Sequence, residues 1–185
     1  LLSYLLFALL FAITNSIGNS LTSIGFSLER DNFEYLKVLP IDMKKYAREK
    51  FKVLFLAQSS VPILLLSIVL LVLRMPVLLV LTIIFTWFSI SFGLSAWGFE
   101  RDYRLRVPNW SNIVELQSRG NKYLMGFLMF ILFILLILCI AVSFPIIHFL
   151  PETIGYIIGA AAFIILNGLG LFFGEYYLRK LKKAL

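Results

Sequence analysis

The polar groups that could do chemistry in this chain of 185 residues are few, and most lie inside apolar runs. Asn15, Asn19 and Thr22 follow an i, i+4, i+7 spacing, with Ser16, Ser20 and Ser23 beside them. At about 100° per residue the two rows form one continuous polar strip on a helix. Thr82, Thr86 and Ser89, continued by Gly93, repeat the device. Amides and hydroxyls in apolar surroundings hydrogen-bond across helices or line a water-filled cavity. Asn15, Asn19, Thr82 and Thr86 are therefore the candidate cavity-lining residues. No Asp, Glu, Lys or Arg interrupts these runs, so a proton- or sodium-coupled relay lacks its usual parts.

Catalytic arrangements are missing. There is no Gly-x-x-x-x-Gly-Lys-Ser/Thr loop to cradle ATP phosphates and no His-Glu-x-x-His helix. The single His, His148, has no second His, Cys or Asp nearby to complete a metal site, and the single Cys, Cys139, lies mid-run as a small hydrophobe. Ser95, in Gly93-Leu-Ser-Ala-Trp-Gly98, would need His148 as its base, but the two belong to opposite ends of different apolar runs. The reading is of a non-enzymatic chain with no catalytic residue, no metal ligand and no bound cofactor.

The elements that position these groups follow from composition. Hydrophobic residues make up 61% and charged residues 15%, with 18 Phe, 8 Tyr and 3 Trp, and the mean hydropathy is +0.94. No small soluble core hides such a surplus. Charge-free runs long enough to cross about 30 Å of hydrocarbon occur five times. They place spans at about 1–27, 52–73, 76–99, 123–150 and 153–177, with loops at 28–51 and 100–122. Alternating ten-residue barrel strands do not appear. The expected fold is a single all-α, polytopic membrane helix bundle with five spans.

Sixteen of the 17 Lys and Arg fall on alternate loops or the tail, and only Arg74 does not. Three basic clusters separated by apolar runs are a topology signal rather than a nucleic-acid surface. Loops 28–51 and 100–122 and the C-terminus are expected in the cytoplasm and Leu1 outside. Because the chain opens without Met, inside an apolar run and facing out, it reads as the later part of a longer polypeptide.

The first loop carries its own design. Asp31 and Glu34 have capping-box spacing, Phe33, Leu36 and Leu39 form an apolar edge, and Pro40 ends the helix. Asp42 caps a second helix that runs into the next span. The product is a short amphipathic helix, which either rests on lipid or inserts into a groove of a cytoplasmic partner with Phe33 and Leu36 as its grip. In the second loop, Asn109 can cap a helix near Trp110 that Gly120 stops, with Trp110 as an interfacial anchor.

Glu29-Arg30, Phe33, Leu36-Lys37, Leu39-Pro40 and Asp42 resemble the coupling-helix signature of ABC transporter permeases of the type-2 exporter class. Pro108-Asn-Trp-x-Asn-x-x-Glu is similar to a second-loop motif of the larger Gram-positive permeases. The resemblance covers the whole chain as the second to sixth spans of a six-helix unit. It departs at Asp31-Asn32, where many members have Gly-Thr or Gly-Lys. It implies an ATP-driven exporter subunit in a bacterial cytoplasmic membrane, with ATP and Mg held by separate ABC ATPase subunits. Glu29, Phe33, Leu36, Leu39 and Pro40 would form the ATPase-coupling helix. Further partners would be membrane lipid and a second permease copy or homologous half. A secondary transporter and a non-transporting scaffold or immunity protein are the competing classes.

Two features remain. Gly155/Gly159 and Gly170/Gly174 are small-xxx-small pairs on one face of the last span, a surface for close helix packing. Pro145 and Pro151 bracket the outer end of the fourth span, where a broken helix or re-entrant hairpin fits its extra length.

Overall fold

The computed structural model describes residues 2–18, 21–106, 109–112 and 151–185, together with Leu116, Phe130, Ile134, Ile137 and Ala141. Apart from those last four residues the expected fourth span lies outside the described residues, as do Pro145, His148, Cys139, Asn19 and Gly120. Every regular element described is helical, as expected. α1 is Leu2–Gly18, α2 Asn32–Val38, α3 Met43–Val72, α4 Val77–Arg104 and α5 Glu152–Ala184. Two 3-10 turns, Leu21–Ile24 and Ser27–Glu29, lead from α1 towards α2.

Among the described residues four helices are long and apolar enough to cross a membrane: Tyr4–Ile24, Met43–Val72, Val77–Arg104 and Thr153–Ala184. They are what a membrane-embedded protein requires. Their ends differ from the hydropathy boundaries in an instructive way. Hydropathy marks where charge begins, whereas a helix ends where a cap or a proline ends it. At 30 residues α3 is about 45 Å long, well beyond the hydrocarbon thickness. Its first turns, through Lys52, are charged and stand clear of the apolar run. Asp42 starts it as expected, its side chain accepting from the Lys44 and Lys45 N–H groups at 3.0 and 3.2 Å.

α4 is the central helix, with α1, α3 and α5 packed on it. One core joins Ala8 and Ala12 of α1, Leu66 and Leu70 of α3 and Ile83 and Trp87 of α4. The other lies at the opposite end and is mostly aromatic: Phe26, Phe33, Phe51, Phe55 and Phe99, closed by Leu181. Because α3 runs away from this aromatic end and α4 returns to it, the described members of all three basic clusters meet there. Arg74, in the α3–α4 turn with φ 54°, sits at the far end.

The glycine face of α5 divides in two. A methyl carbon on Gly170 would stand 2.6 Å from the Ser89 carbonyl oxygen, and one on Gly174 would collide with the Phe92 ring. Gly159 is buried. Gly155 has no described neighbour within 4 Å, so of the expected face Gly170 and Gly174 are in close contact with α4 and Gly155 is not.

Candidate functional site: the basic end of the bundle

α2 is held at this end by its inner side. Phe33 is 2% exposed, its ring 5.4 Å from that of Phe26 and 6.1 Å from that of Tyr103. Phe26 in turn lies 4.6 Å from Phe99, and Phe99 5.4 Å from Phe51. A continuous aromatic chain thus joins α2 to both α3 and α4. The two edge-to-face pairs made by Phe33 add about 0.5–1.5 kcal/mol each beyond their burial. Burying Phe33 turns the other side of α2 outward. Tyr35 and Val38 are 71% and 86% exposed, and Leu39 and Ile41 continue the apolar surface. The expectation that Phe33 and Leu36 present the grip is therefore corrected: Phe33 is in the core and Leu36 packs against it. In a seven-residue helix only one face can reach the core, and the larger ring takes it.

The expected capping box does not form. Asp31 makes no side-chain cap bond, and the Glu34 N–H donates to the Asp31 carbonyl instead. The Glu34 carboxylate turns to Arg106 from the second loop and to Lys37 at 3.2 Å. The Arg106 hydrogen bond, with Lys37 second, holds that carboxyl below its usual range. The guanidinium of Arg106 also lies 4.5 Å from the Phe33 ring centre, so one side chain clamps both faces of the turn.

The segment before α2 is fastened to α4 by a buried carboxylate. Asp102, 7% exposed, accepts from the Phe26 and Ser27 N–H groups at 2.6 and 2.9 Å and from the Ser27 hydroxyl. The Trp110 indole donates to the Ser27 carbonyl at 2.8 Å, with the Arg30 guanidinium 3.9 Å from its ring centre. Trp110 thus ties the second loop to the first. Glu29 receives Lys50 and the Tyr46 hydroxyl, both from α3. Glu100, 2% exposed, pairs with Arg104 at 2.7 Å and with Lys180 of α5 at 3.3 Å. Ion pairs thus join the Glu29 turn to α3, α2 to the loop after α4, and α4 to α5.

No family model, curated protein or solved structure matches this chain.

The remaining expected residues fall away from the basic end or in packed interfaces. Pro40 is exposed beyond the end of α2. Asn15 is partly buried, and its amide nitrogen has no hydrogen-bond partner among the described residues. Thr82 and Thr86 donate to their own helix at the Leu79 and Thr82 carbonyls, 2.7 and 2.8 Å away. Thr86 is fully buried and accepts from the Asn167 amide of α5 at 3.2 Å. It belongs to the α4–α5 contact, which Gly93 and Gly170 continue further along the same two helices. Ser95 is fully buried as well.

Sequence reasoning missed Asp102, Arg106, Glu100 and Asn167. Arg106 counted only as a topology charge, and the other three were assigned no role. The nearest signal was that Glu100 and Asp102 are acidic residues inside an otherwise basic segment.

Proposed function

We propose that this chain is the membrane-spanning permease part of an ATP-driven exporter, with α2 as the element that docks a separate ATPase subunit. The observation that carries the reading is α2 itself: a short helix locked underneath by Phe33, Arg106 and Asp102 while its outer surface at Tyr35, Val38 and Leu39 stays apolar and exposed. A peg transmits movement only if its tip is gripped and its root is stiff. Here Glu29 and Lys50 bind the root to α3, and Asp102 and Arg106 bind it to α4 and the loop beyond, so displacement of α2 reaches two spans at once.

In this reading the basic end faces the bacterial cytoplasm, by the Lys and Arg bias, and Arg74 faces outside. ATP and Mg are held by the partner, and a second copy or homologous half completes the pathway. Changing Tyr35 and Val38 together to Ala should leave folded protein in the membrane. Recovery of the co-expressed ATPase subunit should weaken by roughly tenfold, as for loss of exposed anchors at an interface, and stimulation of ATP hydrolysis should fall with it. Normal ATPase recovery and stimulation with that double variant would refute the docking role.

A further inference from the structure

A groove of about 620 Å3 opens at the basic end between the first turns of α3 and the last turns of α5. Lys44, Lys45 and Arg48 stand on one wall, Arg179 and Lys182 on the other. Ala47, Leu178 and Leu181 form the apolar floor. Three carboxylates also line it, and each is already engaged. Asp42 accepts the Lys44 and Lys45 N–H groups, Glu49 pairs with Lys52 at 2.7 Å, and Glu175 lies 3.7 Å from Arg179. Among the described residues, Lys44, Lys45, Arg48 and Lys182 have no ion-pair partner. Elsewhere at the basic end Lys37, Lys50, Arg104, Arg106 and Lys180 are ion-paired, and Arg30 and Arg101 lie over the Trp110 and Trp97 rings.

Both walls then turn apolar in the direction of the spans. Val53 follows Glu49 by one turn on α3 and is 65% exposed, with Leu56 beyond it at 62%. Phe172 precedes Glu175 by nearly a turn on α5 and is 68% exposed. The groove therefore offers four cations outside any ion pair, Lys45 and Arg48 among them also in the field of Glu49, above an apolar floor that continues towards the hydrocarbon. A small free anion would use only the first half of this arrangement, whereas an anionic amphiphile uses both.

We infer that the groove between α3 and α5 seats the phosphate headgroup of an anionic membrane phospholipid, with its acyl chains running along Val53, Leu56 and Phe172. Basic pockets between spanning helices are a recurrent solution for such headgroups, because low-dielectric walls strengthen each cation. The inference rests on membrane embedding alone and not on the ATPase reading. An occupied groove would clamp the charged root of α3 to the end of α5.

Native mass spectrometry of the whole chain, released from detergent with equimolar dioleoyl phosphatidylglycerol and dioleoyl phosphatidylcholine, tests it. The unaltered protein should retain phosphatidylglycerol preferentially. The double variant Lys45→Gln, Arg48→Gln should lose that preference by on the order of tenfold. A double variant removing the same charge outside the groove, Lys37→Gln with Lys183→Gln, should keep it. Equal retention of both lipids by the unaltered protein overturns the proposal without any variant having to fold, as does equal loss in the two double variants. Soluble glycerol phosphate displacing the lipid at comparable concentration would show a free-phosphate site and overturn the lipid assignment. Loss of ATPase recovery in Lys45→Gln, Arg48→Gln with no lipid preference in the parent would assign the groove to a protein instead.

Discussion

Gly93 of α4 and Gly170 of α5 cross backbone to backbone: a methyl carbon on Gly93 would stand 2.7 Å from the Gly170 carbonyl oxygen. The helices meet here because neither residue has a side chain, and Thr86 and Asn167 close a hydrogen bond about one turn away along α5 and two turns away along α4.

Gly170→Ala should cost about 1–3 kcal/mol as an overpacked contact, since the obstruction is the Ser89 backbone and cannot rotate aside. Gly155→Ala, with no described neighbour, and Ile164→Leu, at a residue 69% exposed, should leave the melting temperature in detergent nearly unchanged. Equal melting temperatures for all three would show that the crossing is not tight.

Asp102→Ala should release the segment before α2. Two buried backbone N–H groups and the Ser27 hydroxyl lose a charged acceptor. Hydrogen bonds to charged groups contribute about 1.5–3 kcal/mol, and the orphaned donors add to the loss. Limited trypsin digestion should then cut faster at Arg30, an exposed residue whose guanidinium lies 3.9 Å from the Trp110 ring centre in the parent. An unchanged cutting rate would remove Asp102 from the anchoring role.

Phe33→Ala should act as a core mutation, costing about 3–5 kcal/mol through the cavity it leaves among Phe26, Tyr103 and Leu36. Tyr35→Ala, at a residue 71% exposed, should leave thermal stability within about 0.5 kcal/mol of the parent. The two are two residues apart on one helix, so the contrast reads out which side of α2 faces inward.

The tie between Glu34 and Arg106 should depend on pH in a defined sense. The folded-state pKa of Glu34 is lowered from its ordinary value of 4.5, chiefly by the Arg106 hydrogen bond. Its contribution is therefore present in full above 4.5 and is lost as pH falls through the lowered folded value. Amide protection factors across residues 32–38, corrected for the intrinsic pH dependence of exchange, should fall in that acid window in the parent. Glu34→Gln should show faster exchange already at neutral pH and little further acid dependence from this site. Identical profiles would mean that the pair does not hold α2.

Orientation can be read by labelling on a background with Cys139 replaced. A cysteine at Arg74 should react with an impermeant maleimide from outside intact cells, and one at Lys45 should not. The reverse result would invert the proposed topology.

How much of this was written in the chain follows from the range of each interaction. Helical spans depend on local hydropathy, and helix starts on adjacent residues, so the helical membrane fold and the Asp42 cap were legible from composition and spacing. The convergence of basic clusters at one end was legible too, because alternating spans carry every second loop to the same side. The direction in which α2 faces was not. Phe33, Leu36, Tyr35 and Val38 are all apolar or aromatic on a helix of seven residues, and only the presence of Phe26, Phe99 and Tyr103 decides which of them is covered. Glu34 had capping-box spacing from Asp31, but Arg106, 72 residues further on, offers a full charge where the Asp31 N–H offers a dipole. The glycine face shows the same division. Its spacing marked where a helix could approach, yet Gly170 and Gly174 lie against α4 while Gly155 meets no described residue. Periodicity identifies a face; the partner on that face is set by tertiary contacts between residues far apart in the chain.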